Sequence, residues 1–138
     1  MTKKKIAGME IVYPNAAGLD IGKSEIMAAL PPDREGETVR GFGTYTADLR
    51  ALADWLIANG ITHVAMESTG VYWIPIFEIL EERGLQVIVV NARHIKHLPG
   101  RKSDVQDCQW IQRLYSYGML NGSFRPDANM AILRTYVR

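Results

Sequence analysis

A chain of 138 residues and 15.5 kDa has the length of one ordinary domain. Its 47% apolar and 22% charged residues exclude the disordered, collagen-like and coiled-coil classes. The net charge of +1 hides a split: residues 1–82 hold 12 acids and 7 bases, a balance of −5, whereas residues 83–138 hold 3 acids and 9 bases, a balance of +6. A basic segment of that kind suits a polyanionic partner, although surface basicity by itself is most often only solvation.

In chain order, Lys3, Lys4 and Lys5 open a basic arm over residues 1–11 that can add nonspecific phosphate contacts. The arm lacks the apolar stretch of a signal peptide. Two tightly joined strands are predicted at 17–21 and 25–30, broken at Gly22-Lys23 and ended by Pro31, Pro32 and Gly36. Thr38 to Tyr45 alternates loosely and supplies a third strand, so the start is an antiparallel meander. Thr46 is expected to cap a helix in which Leu49, Leu52, Ala53, Leu56 and Ile57 share one face, ended by Asn59-Gly60. Ile61 to Met66 reads as a short apolar strand finishing at Glu67. A helix follows from about residue 71 to 83, with Pro75 in its first turn or at a kink and Gly84 closing it.

Leu85 to Val90 is another strand of the buried, β-branched type. Ala92 to Lys102 is irregular and basic. Ser103 and Gln106 form a capping box that opens a helix running to about Gly118. A last helix starts near Pro126-Asp127 and meets no glycine, proline or asparagine stop before Arg138. The order predicts an α/β domain over residues 12–120, a mixed five-stranded sheet with helices on both faces. A helix without a stop signal is what a fragment or an isolated domain of a longer protein is expected to show. The longest apolar runs, 71–77 and 87–90, are far shorter than the ~18–20 residues that span a bilayer. A single cysteine, Cys108, excludes an internal disulfide framework and fits a reducing cytoplasm.

Four carboxylates stand out against this background. Asp20 lies mid-strand between Leu19 and Ile21, whose side chains must point to the opposite face. A carboxylate there is costly to bury unless it is paired or binds a metal; the plain alternative is an exposed acid before a turn. Glu67 ends an apolar strand at a small-residue bend, Ser68-Thr69-Gly70, and strand carboxyl ends are where ligands gather in open sheets. Its plain alternative is an acid favoured by the following helix dipole. Asp104 and Asp107, spaced i, i+3 at a helix start, are expected on one helix face, with the same dipole explanation open to them. They are two of only three acids in the +6 segment. Together the four could hold one or two hard cations through oxygen. Two such ions clamp the attacking and leaving oxygens of a phosphodiester. Arg93, Lys96, Arg101 and Lys102 would then hold the sugar–phosphate backbone beside them. The scheme requires Asp20 and Glu67 to share a face of the sheet.

Gly18-Leu19-Asp20-Ile21-Gly22-Lys23, Met66-Glu67-Ser68-Thr69-Gly70-Val71-Tyr72-Trp73 and Arg101-Lys102-Ser103-Asp104-Val105-Gln106-Asp107 closely resemble the motifs of the DEDD transposases of the insertion-sequence one-ten family. The resemblance spans about residues 12–138, with the motifs in order. It implies a RuvC-like domain of the ribonuclease H fold, with Mg2+ (or Mn2+) at a tetrad matching Asp20, Glu67, Asp104 and Asp107. It also implies transposition chemistry on insertion-sequence ends and target DNA, guidance by a bridge RNA, and a homo-oligomer of bacterial or archaeal cytoplasmic type. The resemblance further implies that residues 121–138 begin a helical linker to a C-terminal domain, whose serine is the expected partner in strand exchange. Two alternatives stand beside this: a stand-alone nuclease resembling a Holliday-junction resolvase, and an inactive fragment that only binds nucleic acid.

Other residues carry less. Gly22-Lys23-Ser24 resembles the end of a P-loop, but Ala17 stands where that motif needs its first glycine. The first phosphate loop of the actin and sugar-kinase superfamily is a minor alternative that needs a second lobe. Lys23 either contacts a phosphate or flanks a turn. Tyr72 and Trp73 either stack on bases or pack under the helix. Trp55 and Trp110 are expected in the core. His94 and His97 have no third zinc ligand and are read as solvated or phosphate-facing. Cys108 is expected as a small buried residue.

Overall fold

The computed structural model describes residues 10–68, 70–91, 106–120, 124 and 126. Five strands form one sheet: β1 (Ala16–Ile21), β2 (Ile26–Ala29), β3 (Val39–Phe42), β4 (His63–Ser68) and β5 (Gln86–Val90), in the spatial order β3-β2-β1-β4-β5. The meander β1–β2–β3 is antiparallel, and β4 and β5 add to β1 in parallel. This is the mixed five-stranded sheet that the order of elements predicts. Helices α1 (Thr46–Ala58) and α2 (Trp73–Glu82) cover one face, and α3 (Asp107–Ser116) covers the other. Among the described residues no helix is long and apolar enough to cross a membrane.

Alternation in the strands assigns each side chain to a layer. Ala17, Leu19, Ile21, Val64, Met66 and Val87 join Leu52, Leu56, Phe77 and Leu80 in the core beneath α1 and α2. Ala16, Ala65, Ile88 and Val90 meet Trp110, Ile111 and Leu114 of α3 in a second core. A sheet buried on both faces needs apolar residues at both parities, which is why β4 and β5 read as near-continuous apolar runs. Trp110 is in the core as expected, while Trp55 is only partly buried against it.

Several boundaries differ from those predicted. Thr46 is the first residue of α1 rather than its cap; Tyr45 is the N-cap, and its backbone N–H donates to Asp48 Oδ2 at 3.1 Å. Tyr45 bears no short cap side chain, so periodicity placed the start one residue late. Both α1 and α2 are followed by a glycine at positive φ, Gly60 at 73° and Gly84 at 85°, a conformation that other residues adopt at a cost. Pro75 falls in the first turn of α2, where its missing N–H breaks no ladder bond. The strand expected to finish at Glu67 runs one residue further, because pairing with β1 carries β4 through Ser68.

The helix predicted from Ser103 is also corrected. Gln106 is extended (φ −65°, ψ 151°) and is the N-cap of α3, so α3 begins at Asp107. The expected sharing of one helix face by Asp104 and Asp107 involves a residue outside the described ones. Asp104 itself, with the basic residues Arg93, Lys96, Arg101 and Lys102, His94, His97 and Ser103, lies outside the described residues. So do most of the expected basic arm and most of the expected linker and last helix. Phe124 pairs with Val89 at the β5 edge, N–H to carbonyl in both directions at 2.8 and 3.0 Å.

At the end of the sheet opposite the carboxylates, Arg34 ties the β2–β3 loop to the body. Its Nε donates to the Asn59 carbonyl at 2.9 Å and its guanidinium also donates to Asn15 Oδ1. Arg34→Ala is expected to lower the unfolding free energy by about 1–2 kcal/mol in urea titration. Arg34→Lys should recover little, because an ammonium cannot reproduce a two-pronged planar donor.

Candidate active site

The site is set by the adjacency of β1 and β4. Asp20 and Glu67 are direct register partners in this parallel pair, so their side chains project from the same face. The requirement that they share a face is met. That face is the one α3 covers, since Ala16, four positions before Asp20, and Ala65, two before Glu67, pack under α3. Both acids are only half-buried, at the carboxyl ends of two central strands. This is the edge at which open α/β sheets gather ligands.

Asp107 arrives from above. As the first residue of α3, it lies close enough to Asp20 for its charge to act on it. Burial first, and the negative charge of Asp107 second, hold the Asp20 carboxyl above the ordinary value of 3.8. The close approach of α3 depends on Gly18, which precedes Asp20 by two and shares its face. A Cβ at Gly18 would overlap the Cys108 carbonyl oxygen and the Gln112 backbone nitrogen. The helix backbone therefore rests directly on the strand. Gln112 is 5% exposed and its Nε2 donates to the Ala16 carbonyl at 3.0 Å, past the last β1–β2 pair. Without that bond the carbonyl would be buried unpaired.

Cys108 is fully buried beside these groups, and its thiol is pushed up to about 11, chiefly by burial. It stays protonated at neutral pH and is no nucleophile. Lys23 is exposed in the β1–β2 turn, closed by the Gly22 N–H to Glu25 carbonyl bond of 2.9 Å. Tyr72 and Trp73, read together in sequence, separate in space. Trp73 is edge-on to Phe77 and Phe124, whereas Tyr72 is 43% exposed.

Among the described residues, no three metal-ligating side chains are grouped closely enough to hold an ion. Of the four expected carboxylates the structure brings Asp20 and Glu67 side by side and Asp107 within electrostatic reach of Asp20. The donor chemistry fits a hard divalent cation, which takes oxygen ligands and would favour the charged form of Asp20 against its burial and the Asp107 charge. The roles of Gly18 and Gln112 escaped sequence reasoning. The available signal for Gly18 was its parity: a residue without a side chain, two before the acid, on a strand otherwise filled with apolar groups.

Residues 17–138 match the model of a transposase family, the DEDD transposases of the IS110 type. No curated protein sequence matches the chain. Among solved structures, T. thermophilus RuvC in complex with Holliday junction substrate is similar at a TM-score of 0.54 and 12% identity, covering 80% of this chain and 98% of that one. Thermus thermophilus RuvC gives a TM-score of 0.53 at 13% identity, with the same coverage. At this identity the likeness is one of fold, the RuvC-like form of the ribonuclease H architecture.

Proposed function

Because the chain belongs to the DEDD transposases of the IS110 type, we propose that it forms the phosphodiester-cutting domain of a recombinase that moves an insertion sequence. The observation that carries this reading is the register pairing of Asp20 with Glu67 on one sheet face. Asp20, Glu67, Asp104 and Asp107 would hold Mg2+, with Mn2+ a substitute of similar ligand preference. Such a cation, when bound, supplies Lewis-acid stabilisation to the oxygens of the phosphodiester. The chain's own residues orient the reaction. The two central strands fix Asp20 relative to Glu67, and the contact of α3 with Gly18 fixes the height of Asp107. Lys23, Arg93, Lys96, Arg101 and Lys102 hold the DNA backbone, a role that needs charge rather than base recognition.

Insertion-sequence ends and target DNA are the proposed substrates. Guidance by a bridge RNA follows from the family resemblance, with base pairing carrying sequence and protein groups holding backbone. Under this reading residues 12–120 are the catalytic domain, and residues 121–138 lead into a further domain that brings a serine nucleophile within a homo-oligomer. A second reading, a resolvase-like nuclease, is favoured by the likeness in fold over 98% of a RuvC chain bound to a Holliday junction.

One experiment separates the two. The purified chain is incubated with Mg2+ and a four-way junction or linear duplex, with and without a separately supplied C-terminal domain. Binding without cleavage, converted to cutting by the added domain, is the result expected of the transposase. Junction cutting by the chain alone supports the resolvase. Binding that never leads to cutting in either setting would leave an inactive nucleic-acid-binding fragment and defeat both.

A further inference from the structure

Just past the carboxylates, three connections meet at the same edge of the sheet. They are the β1–β2 turn carrying Lys23, the β3–α1 link carrying Thr44, and the β4–α2 link carrying Val71 and Tyr72. Their side chains surround a groove of about 290 Å³ whose apolar floor is Ile26 and Leu49. The volume is at the small end for ligand-binding cavities. Val71 is 67% exposed and Tyr72 43%, so large apolar surface is left in water here, while the neighbouring Trp73 is withdrawn against the core. A fold that packs one aromatic of an adjacent pair partly against the core and leaves the other at a groove with a lysine has built a flat surface beside a positive charge. That is the composition of a stacking platform for an unpaired strand: aromatic faces for bases and cations for phosphates.

Resting on the reading that the carboxylates cut phosphodiesters, we propose that this groove seats one unpaired nucleobase next to the cleavage position, stacked on Tyr72, with its phosphate held by Lys23. The geometry supports the pairing of the two sites. Ile21, which follows Asp20, pairs with Ile26 of the groove floor, and Tyr72 follows Glu67 by five residues. A strand crossing this edge passes from the carboxylates on the α3 face to the groove on the α1–α2 face. The groove thus selects DNA that is unpaired where it is cut. A second copy of the chain seated in the groove is the competing occupant. Lys23 argues against it, since a cation at the mouth of a small apolar groove favours an anionic ligand.

The test uses the full chain carrying Asp20→Asn in EDTA, so that neither cleavage nor metal enters the readout. Fluorescence anisotropy compares a hairpin duplex bearing a three-nucleotide unpaired tail with the same duplex blunt-ended. Tyr72→Ala is expected to weaken binding of the tailed DNA about tenfold, the loss of one stacked base, and to change the blunt DNA less than about twofold. Tyr72→Trp should retain the preference. Lys23→Ala should weaken the tailed DNA and reduce its salt slope by about one. A 2-aminopurine in the tail should be quenched on binding by Tyr72 but not by Ala at that position.

Equal losses on both DNAs, no loss on either, or a Tyr72→Trp variant as weak as Tyr72→Ala would overturn the proposal. So would sedimentation showing a dimer that Tyr72→Ala dissolves while DNA binding is unchanged. The tailed-DNA preference is read without metal or cutting. If it holds while the junction and duplex assays show no cleavage, the groove stands and the catalytic reading falls; the reverse outcome removes the groove alone.

Discussion

Asp20→Asn is expected to reduce metal-dependent strand cleavage by at least about 10²–10³, the scale on which one preorganised electrostatic partner of a transition state acts. In metal-free buffer the same variant is expected to be more stable than the parent. The cause is the half-buried position of Asp20 under α3, with Asp107 nearby, which raises its carboxyl above 3.8 in the folded chain. A folded-state pKa above the unfolded value means the folded chain binds the proton more tightly, so stability falls as pH rises through that window. Above that window the penalty is fully present, and the ionised acid works against the fold. Asparagine removes the charge at nearly constant shape, for a gain on the order of 1 kcal/mol, the usual size when a site residue is relieved of a functional compromise.

Thermal unfolding in EDTA and in Mg2+ checks both halves. The parent should gain stability with Mg2+ according to its affinity, because a ligand that binds only the folded state stabilises it. The Asp20→Asn chain should gain far less. A parent that is indifferent to Mg2+, or a variant less stable than the parent in EDTA, contradicts the assignment of Asp20 as a strained ligand.

Gly18→Ala is the second large effect. One methyl group at this position meets the Cys108 carbonyl oxygen and the Gln112 backbone nitrogen, with Gln112 Cα at 3.0 Å. These are backbone atoms of α3, so no rotamer change relieves the overlap and the helix must lift from β1. Overpacking a core costs about 1–3 kcal/mol and here belongs at the upper end. For a domain of this size that is roughly 10 °C in Tm. Lifting α3 also moves Asp107 away from Asp20 and strains the Gln112 bond to the Ala16 carbonyl, so cleavage should fall by more than the loss of folded protein explains. Gly41→Ala is the control: it is also a strand glycine, but its new methyl would meet the flexible Met27 sulfur at 3.1 Å. It should lose less than about 1 kcal/mol, as a volume change that a side chain can absorb.

How far the sequence was legible depended on the range of the interaction involved. The strand pairs and α1 were visible because their signals are local: alternation in 16–30, an i, i+3, i+4 stripe at Leu49, Leu52, Ala53 and Leu56, and glycine stops at Gly60 and Gly84. Helix starts were less legible. Tyr45 and Gln106 serve as caps although neither is a preferred cap residue, and the stronger local signals at Thr46 and Ser103 pointed to the wrong positions. Glu67 was read as the end of its strand because the apolar run stops at Met66. Pairing with β1 extends the strand one residue further, to Ser68.

Amino-acid order alone pointed to the mixed sheet, to Asp20 facing away from Leu19 and Ile21, and to the acids that interrupt apolar stretches at strand ends. These follow from periodicity and from the cost of burying charge, both properties of short segments. It also separated an acidic first part from a basic second part beneath a net charge near zero. Only the tertiary structure decided that Asp20 and Glu67 stand side by side, because register between β1 and β4 joins residues 47 positions apart through a crossover. Only the tertiary structure showed that Gly18 is the seat of α3 and that Tyr72 and Trp73 part company. Each depends on which backbone approaches which, and close approach is a property of the packed whole that no single segment encodes.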